Sequence, residues 1–443
     1  MLRSFAPRAI SLTRSHGRGF ATASSTPVSS TARNHRIVVV GGGTAGMAIS
    51  HQLLRTHRFS QNDIAVVDPS MWHYYQPGWT LVGGGLKDKE SLRSRTNTLV
   101  DSKCKFYSES VSQFEPQDNV VMLGNGDRLS YEHLVVVPGI KVNFDSIKGL
   151  PEALADSHSM VSSIYSYDTC DKVYPNIQKL KQGRAIFSQP TGVIKCAGAP
   201  QKAMWLALDA WRKLGRYDLT DPQKSPIQIS FATGLPVMFG VPKYSATLEK
   251  LRQERGVEGL FSHDLVAVDG NKATFARPNE QEPVVREFDF LHAVPKMGPY
   301  GFVKESPLAD AGGFVDVDAA TTQHKRFPNV WSAGDASSLP TAKTMAAITS
   351  EAPVLVQNLL RVIDGKPVDA QYDGYTSCPL TTQYGKVLLA EFKYGGVPKE
   401  TFARALDQAE PHYVFWLLKN SFFPFVYFNG MVRGIWGGPK GFI

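Results

Sequence analysis

One stretch near the start of the chain limits the fold more than any other: HRIVVVGGGTAGMAISHQLLR, beginning at His35. Ile37 to Val40 form an unbroken apolar run, the mark of a short strand buried on both faces. Gly41, Gly43 and Gly46 follow in GxGxxG spacing, with Thr44 and Ala45 inside the turn. Met47 to Leu54 read as a helix. A second apolar run, DIAVVDP, ends at Asp68, 22 residues after Gly46. Strand, glycine turn, helix, strand and terminal acid together make a βαβ unit for a dinucleotide. The glycines allow a tight turn and let a pyrophosphate approach the helix N-terminus. Asp68 is placed to accept from a ribose hydroxyl.

Short strands are expected around Lys105–Phe106, in NVVML and in YEHLVVVPG, which ends in a turn at Pro138–Gly139. Residues 185–188 and PIQISFAT read as strands of a second α/β unit, with KAMWLALDAWRKLG an amphipathic helix between them. The run FPNVWSAGDAS carries a strand over 330–333 that closes on Gly334 and Asp335. TAKTMAAITSEAPVLVQNLLRVIDG then reads as a helix with an internal proline, Pro353. The expected fold is α/β: tandem Rossmann-like dinucleotide-binding domains with a C-terminal membrane-associating region. Residues 36–150 and 301–370 make the first domain, 151–300 the second, and 371–443 the C-terminal region.

Composition narrows the partners. A net charge of +8 over 443 residues suits an anionic cofactor or an anionic lipid surface. No dense basic block suits nucleic acid, which is excluded as a partner. Four cysteines, Cys104, Cys170, Cys196 and Cys378, are too few for a disulfide scaffold, and no CxxC points to a metal. Residues 1–36 hold six arginines and no acid; the first acid is Asp63. Residues 1–35 are therefore expected to be a mitochondrial transit peptide.

A flavoprotein that uses a nicotinamide cofactor carries a second glycine fingerprint in mid-chain. The matching segment here, PIQISFATGLPVMFGVPKYS, has only Gly234 and Gly240. Val237, Met238 and Phe239 stand where a phosphate turn would be, so nicotinamide binding is expected to be lost. Gly334 and Asp335 are then assigned to FAD, as are Lys343 and Thr344 at the following helix start. The Lys343 charge could stabilise a reduced, anionic flavin. His292 could protonate a quinone, or be a satisfied histidine at a strand end.

Cys196 lies in VIKCAGAP and Cys378 in YTSCPL, 182 residues apart. Either could be a small buried hydrophobe. At Cys196 three local features favour a reactive thiol. Lys195 could stabilise a thiolate, a helix is expected to start near Pro200, and Ala197, Gly198 and Ala199 leave room for a substrate.

Over residues 36–440 the chain resembles the sulfide:quinone oxidoreductases of mitochondrial type. The resemblance rests on VVVGGGTAGMAIS, GVIKCAGAPQKAMWLALDAWRKLG, WSAGDASSLPTAKTMAAITSEAPVLVQNL and YTSCPLTTQYGKVLLAEFKY. The first segment is generic to flavoproteins; the second and fourth are specific. It implies non-covalent FAD, with Cys196 and Cys378 as the redox-active pair beside it, bridged at rest directly or through an extra sulfur. It further implies that hydrogen sulfide leaves a persulfide on Cys378 while Cys196 faces the flavin. Glutathione, sulfite or sulfide would take the sulfur, and ubiquinone the electrons. Cys104 and Cys170 match no catalytic position.

From Pro411 to Trp436 the chain holds nine aromatic residues, with Lys419 and Arg433 its only Lys, Arg, Asp or Glu residues. Pro424 is expected to split this tail into two segments too short to span a bilayer. Aromatic, weakly basic segments of this kind lie in a membrane interface; an oligomer contact would be apolar too. Phe392, Phe422, Phe425 and Phe428 are the expected walls of a quinone pocket. The location expected is the inner mitochondrial membrane, peripheral, on the matrix side. Two rivals share the fold: an NADH:quinone dehydrogenase, which needs the second fingerprint, and a flavocytochrome-type sulfide dehydrogenase.

Overall fold

A run of β-branched residues has no polar face, so the strand it forms must be covered on both sides. In the computed structural model, which describes residues 32–278 and 280–442, Ile37 to Val40 meet that demand at the centre of a seven-stranded sheet. The strand Ala32–Val40 lies parallel to Ile64–Val67 on one side and Arg128–Val136 on the other, with Val38 opposite Ala65 and Leu134. Lys105–Tyr107 extends one edge in parallel. The hairpin Val111–Glu115 and Val120–Leu123 extends the other edge antiparallel. Ala32 starts the first strand four residues before the boundary expected at residue 36, and Arg33 to His35 pair with Leu129 to Tyr131. The expected transit segment lies, but for residues 32–35, outside the described residues.

The short strand Val330–Trp331 returns to this sheet beside Leu134 and Val135. That pairing delivers Gly334 and Asp335 to the glycine turn: a Cβ on Gly334 would sit 3.7 Å from that of Ala45. The helix Met345–Ile363 follows, capped by the Thr344 hydroxyl and keeping Pro353 in its interior. It packs on the helix Thr44–Arg55 through Ile348, Ala352 and Leu355.

The second α/β unit is a five-stranded parallel sheet: Val161–Ser162, Phe290–His292, Gly183–Gln189, Ile227–Thr233 and Glu258–Phe261, in that spatial order. Its main helix, Ala199–Lys213, buries Trp205 and Trp211 completely. An antiparallel sheet, Thr376–Gln383, Lys386–Lys393 and Val397–Pro398, packs on the same core through Leu380 and Leu388.

The aromatic tail departs from expectation at Pro424. Residues Tyr413–Leu417 and Phe423–Val426 are α-helical, and Leu418–Phe422 and Tyr427–Met431 are wider π turns. Pro424 falls in the first turn of Phe423–Val426, where its missing N–H is tolerated, so the helical path continues past it. Among the described residues no helix is long and apolar enough to cross a membrane.

The glycine turn leaves no room for a side chain at Gly46, where a Cβ would stand 1.8 Å from the Gly41 carbonyl oxygen. Backbone cannot move aside as a flexible side chain can. Gly46→Ala should therefore destabilise the protein by about 3 kcal/mol or more, read by denaturant unfolding.

Candidate active site

Each glycine of the turn answers to a different constraint. Gly41 has φ +107°, and a Cβ there would lie 2.4 Å from the Val137 carbonyl oxygen. Gly43, by contrast, faces open space. It caps the helix Thr44–Arg55 without any side-chain hydrogen bond, and no acid lies in the first turn, so the helix N-terminus is open to an anion. Asp68 is held at the end of its strand by the N–H groups of Gly42 (2.6 Å) and Ser70 (2.7 Å). An open glycine face, an uncapped helix end and a fixed carboxylate fit the pyrophosphate and ribose of FAD.

A cavity of about 610 Å³ starts at this turn, with Gly43, Thr44 and Ala45 on its wall. It passes Gly334, Asp335, Lys343 and Thr344, reaches Cys196, and continues to Lys419, Phe422 and Trp436 in the tail. Below Asp335, the buried Glu351 carboxylate accepts from the Gly334 N–H at 2.6 Å. Burial pushes its pKa up to about 7. Sequence reading passed over it as one more helical residue.

The two cysteines meet. Cys196 Sγ and Cys378 Sγ are 3.4 Å apart, both as free thiols. Cys378 belongs to the strand Thr376–Gln383, opposite Ala390. Cys196 sits in the loop before the helix Ala199–Lys213, with φ +50°, a left-handed conformation that a residue with a side chain adopts at a cost. Its N–H donates to the Lys343 carbonyl (2.7 Å) and its carbonyl accepts from the Ala199 N–H (2.8 Å), which fixes that turn. Gly198 makes the approach possible, because a Cβ there would be 2.6 Å from Cys378 Sγ.

The lysine that serves the thiol is Lys202, not Lys195. Lys202 Nζ donates to Cys196 Sγ at 3.2 Å, whereas Lys195 Nζ turns to Gln76 Oε1. A hydrogen bond from Cys378 and the Lys202 charge hold the Cys196 pKa well below the usual thiol value. Cys378, the donor of that bond and fully buried, is pushed well above it. The pair thus reads as a Cys196 thiolate receiving the Cys378 S–H. Lys202 could have been found in the sequence: it lies in KAMWLALDAW, where every other residue but Asp209 is apolar. Lys419 could have been found as the only charge in its part of the tail. It is buried beside the cysteines, and burial, with repulsion from Lys202, lowers its pKa to about 7.

The remaining expected residues divide between the cavity wall and the core. The Lys343 ammonium is bound by the carbonyl oxygens of Ser337 (2.6 Å) and Leu339 (3.3 Å). Thr344 bonds Thr376 Oγ1 at 2.7 Å besides capping its helix. His292 is fully buried, is not among the residues lining the cavity, and accepts the Ile164 N–H; burial drops its pKa to about 3, which favours the neutral ring. Phe392 is packed in the second unit's core against Phe239, away from the cavity wall. Phe428 packs beside His73 and Tyr427, and Phe425 points outward at 64% exposure. Of the four expected quinone-pocket rings only Phe422 lines the cavity, joined by Phe423, Trp436 and Phe442.

The second glycine turn is closed, though not by the side chains expected. Met238 and Phe239 pack inward. The Asp264 carboxylate occupies the strand ends, held by the Thr191 N–H (2.7 Å) and hydroxyl (2.5 Å). A Cβ on Gly234 would lie 2.5 Å from both, so Gly234 has no open face.

Residues 35–186 match the family model for pyridine nucleotide-disulphide oxidoreductases. The chain is 46% identical over 432 residues to a protein of Schizosaccharomyces pombe named mitochondrial sulfide:quinone oxidoreductase, covering 93% of each. It is 44% identical over 410 residues to a protein of the same name from Dictyostelium discoideum, covering 91% of this chain and 87% of that one. Its fold is like that of the sulfide:quinone oxidoreductase structure from Aquifex aeolicus, with TM-score 0.73 at 17% identity, over 89% of this chain and 92% of that one.

Removing the Lys202 charge should leave the Cys196 thiolate with less support. Lys202→Met is expected to move the pH midpoint of Cys196 alkylation upward by about 1 to 3 pH units, measured in a Cys104→Ser/Cys170→Ser background.

Proposed function

The chain belongs to the sulfide:quinone oxidoreductase family and is an FAD-dependent oxidoreductase, and from that premise we propose that it oxidises hydrogen sulfide at the Cys196–Cys378 pair. The reading includes transfer of the sulfane sulfur to a small acceptor such as glutathione or sulfite, and delivery of two electrons to ubiquinone. The observation that carries it is the 3.4 Å approach of two sulfurs 182 residues apart, in a cavity that begins at the glycine turn.

Chemistry at the pair follows from the unequal thiols. In the oxidised, bridged pair hydrosulfide attacks one sulfur and expels the other. The thiol of lower pKa is the better leaving group; in this reading that is Cys196, whose sulfur the Lys202 ammonium touches at 3.2 Å. Attack therefore falls on Cys378: a new S–S bond forms there, the bridge breaks, and Cys196 leaves as a thiolate beside the Lys202 ammonium. An acceptor thiolate or sulfite then takes the outer sulfur of the Cys378 persulfide and returns Cys378 as a thiolate. Both cysteines are now reduced, and closing the bridge again releases two electrons. Bound FAD would supply the two-electron acceptor between the pair and quinone. Lys419, with a pKa near neutrality, is suited to exchange a proton with the anions formed here.

Buried lysines give the cavity its bias toward anions. Lys202, Lys343 and Lys419 are all on its wall and nearly inaccessible to bulk water. Hydrosulfide and sulfite both gain from that field. The far end suits a lipid-soluble acceptor. There Phe422 and Phe442 belong to the cavity wall and are also exposed, and the same tail exposes Tyr413 (58%) and Phe425. This apolar face supports peripheral attachment to a membrane, with quinone entering where the enzyme touches lipid. The relatives named mitochondrial support a mitochondrial location; the proposed site is the inner membrane, on its matrix side, where a lipid-soluble quinone is within reach.

Anaerobic titration tests the reaction. Sulfide should bleach the flavin of the wild-type protein without NADH, while Cys196→Ser and Cys378→Ser should each show no sulfide-dependent quinone reduction. Rapid bleaching by NADH, or near-normal turnover in either variant, would count against the reading. For the membrane face, Phe425→Asp should weaken sedimentation with anionic vesicles by about tenfold or more while sulfide still bleaches the flavin. That magnitude follows from the loss of about 1.5–3 kcal/mol of apolar burial.

A further inference from the structure

The tail does more than present an apolar face. Tyr427, 1% exposed, inserts its hydroxyl between Thr44 of the glycine turn and His73 of the strand Trp72–Tyr74. It lies 2.7 Å from Thr44 Oγ1 and 2.7 Å from His73 Nε2. The other ring nitrogen, His73 Nδ1, is 2.9 Å from the Gly42 carbonyl oxygen. His73 is buried, and burial lowers its pKa to about 4, so the ring is neutral. A carbonyl only accepts, so Nδ1 carries the proton and Nε2 is the acceptor. Tyr427 must then donate to His73, and Thr44 must donate to Tyr427. The main chain from Gly42 to Thr44 completes a closed ring of one-way hydrogen bonds around Gly43. Tyr427 has a second, longer acceptor in the Tyr74 carbonyl at 3.4 Å.

Gly43 is the glycine with open space over it, and Thr44 starts the helix whose uncapped end faces the cavity. The ring engages the Thr44 side chain and leaves the first-turn N–H groups free. The same tail grips the helix further along. His51 Nδ1 bonds the Val432 carbonyl, and a Cβ on Gly434 (φ +68°) would lie 2.7 Å from the Gln52 nitrogen. One segment, residues 427–434, thus clamps the helix at its N-terminus and at its second turn.

We propose that Tyr427 and His73 are positioning residues for the cofactor: they lock the Gly42–Thr44 turn so that the C-terminal tail completes the FAD site. The proposal rests on the reading that FAD binds at this turn. Tyrosine and phenylalanine are isosteric, so Tyr427→Phe removes the ring's central hydroxyl without opening a cavity. Thr44→Val removes its first donor.

The test measures FAD release from the purified full-length holoprotein by the rise in flavin fluorescence on dilution, together with melting of holo- and apoprotein. Tyr427→Phe is expected to raise the dissociation constant about tenfold, the loss of one closed network. Thr44→Val is expected to do the same, and the double variant should be no worse than either single one, because each opens the same ring. The holoprotein should lose more melting temperature than the apoprotein, which loses the buried hydrogen bonds alone, so that the gap between holo and apo narrows. Three results would overturn the proposal: Tyr427→Phe within twofold of wild type, single effects that multiply in the double variant, or an apoprotein destabilised as much as the holoprotein. A wild-type chain that binds no FAD would overturn the functional reading, and this proposal with it.

Discussion

Much of this architecture serves one contact, that of Cys196 Sγ with Cys378 Sγ, with the Lys202 ammonium against the first. Each partner comes from a different element: a loop held left-handed, a strand of the C-terminal sheet, and a helix of the second α/β unit. The contact tolerates little error. Gly198 cannot carry a side chain without striking Cys378, and the Cys196 turn is pinned at both its N–H and its carbonyl. A strained turn held by its surroundings is the ordinary way in which a fold pre-positions a reacting group.

The electrostatics extend from that contact. Ammonium groups without close carboxylate partners are costly to bury. Lys202 offsets the cost by keeping a thiolate beside it. Lys343 does so by bonding two carbonyl oxygens, with Asp335 and Glu351 near. At Lys419 burial, with the repulsion of Lys202, outweighs the attraction of the cysteines and lowers the pKa to about 7. The three lysines therefore differ in their surroundings: one faces a thiol, one is held by carbonyl oxygens, and one is opposed by another lysine.

How much of this was legible in the sequence depended on the range of the interaction. The βαβ unit was, because strand, turn and helix are contiguous and each glycine answers to backbone sterics. The pairing of Val330–Trp331 beside it could be placed through the AGD stretch. The meeting of Cys196 with Cys378 entered only through resemblance, since no local rule spans 182 residues. Lys195 is next to Cys196 in the chain but not in space: its ammonium turns to Gln76, and one turn of helix brings Lys202 back to the thiol. Phe392 and Phe428 were indistinguishable from Phe422 by composition, and which ring faces the cavity is decided by tertiary packing. Pro424 was over-read, because its cost vanishes when a first turn begins there.

The clamp of residues 427–434 on the helix Thr44–Arg55 has a consequence for how the molecule is made. That helix emerges in synthesis well before its partners, which follow 383 residues later. The cofactor turn is thus begun early and finished late. Until residues 427–434 are in place Thr44 lacks its Tyr427 partner, as for any non-local contact whose closure comes late in folding. The grip of this segment would then report that synthesis has passed it.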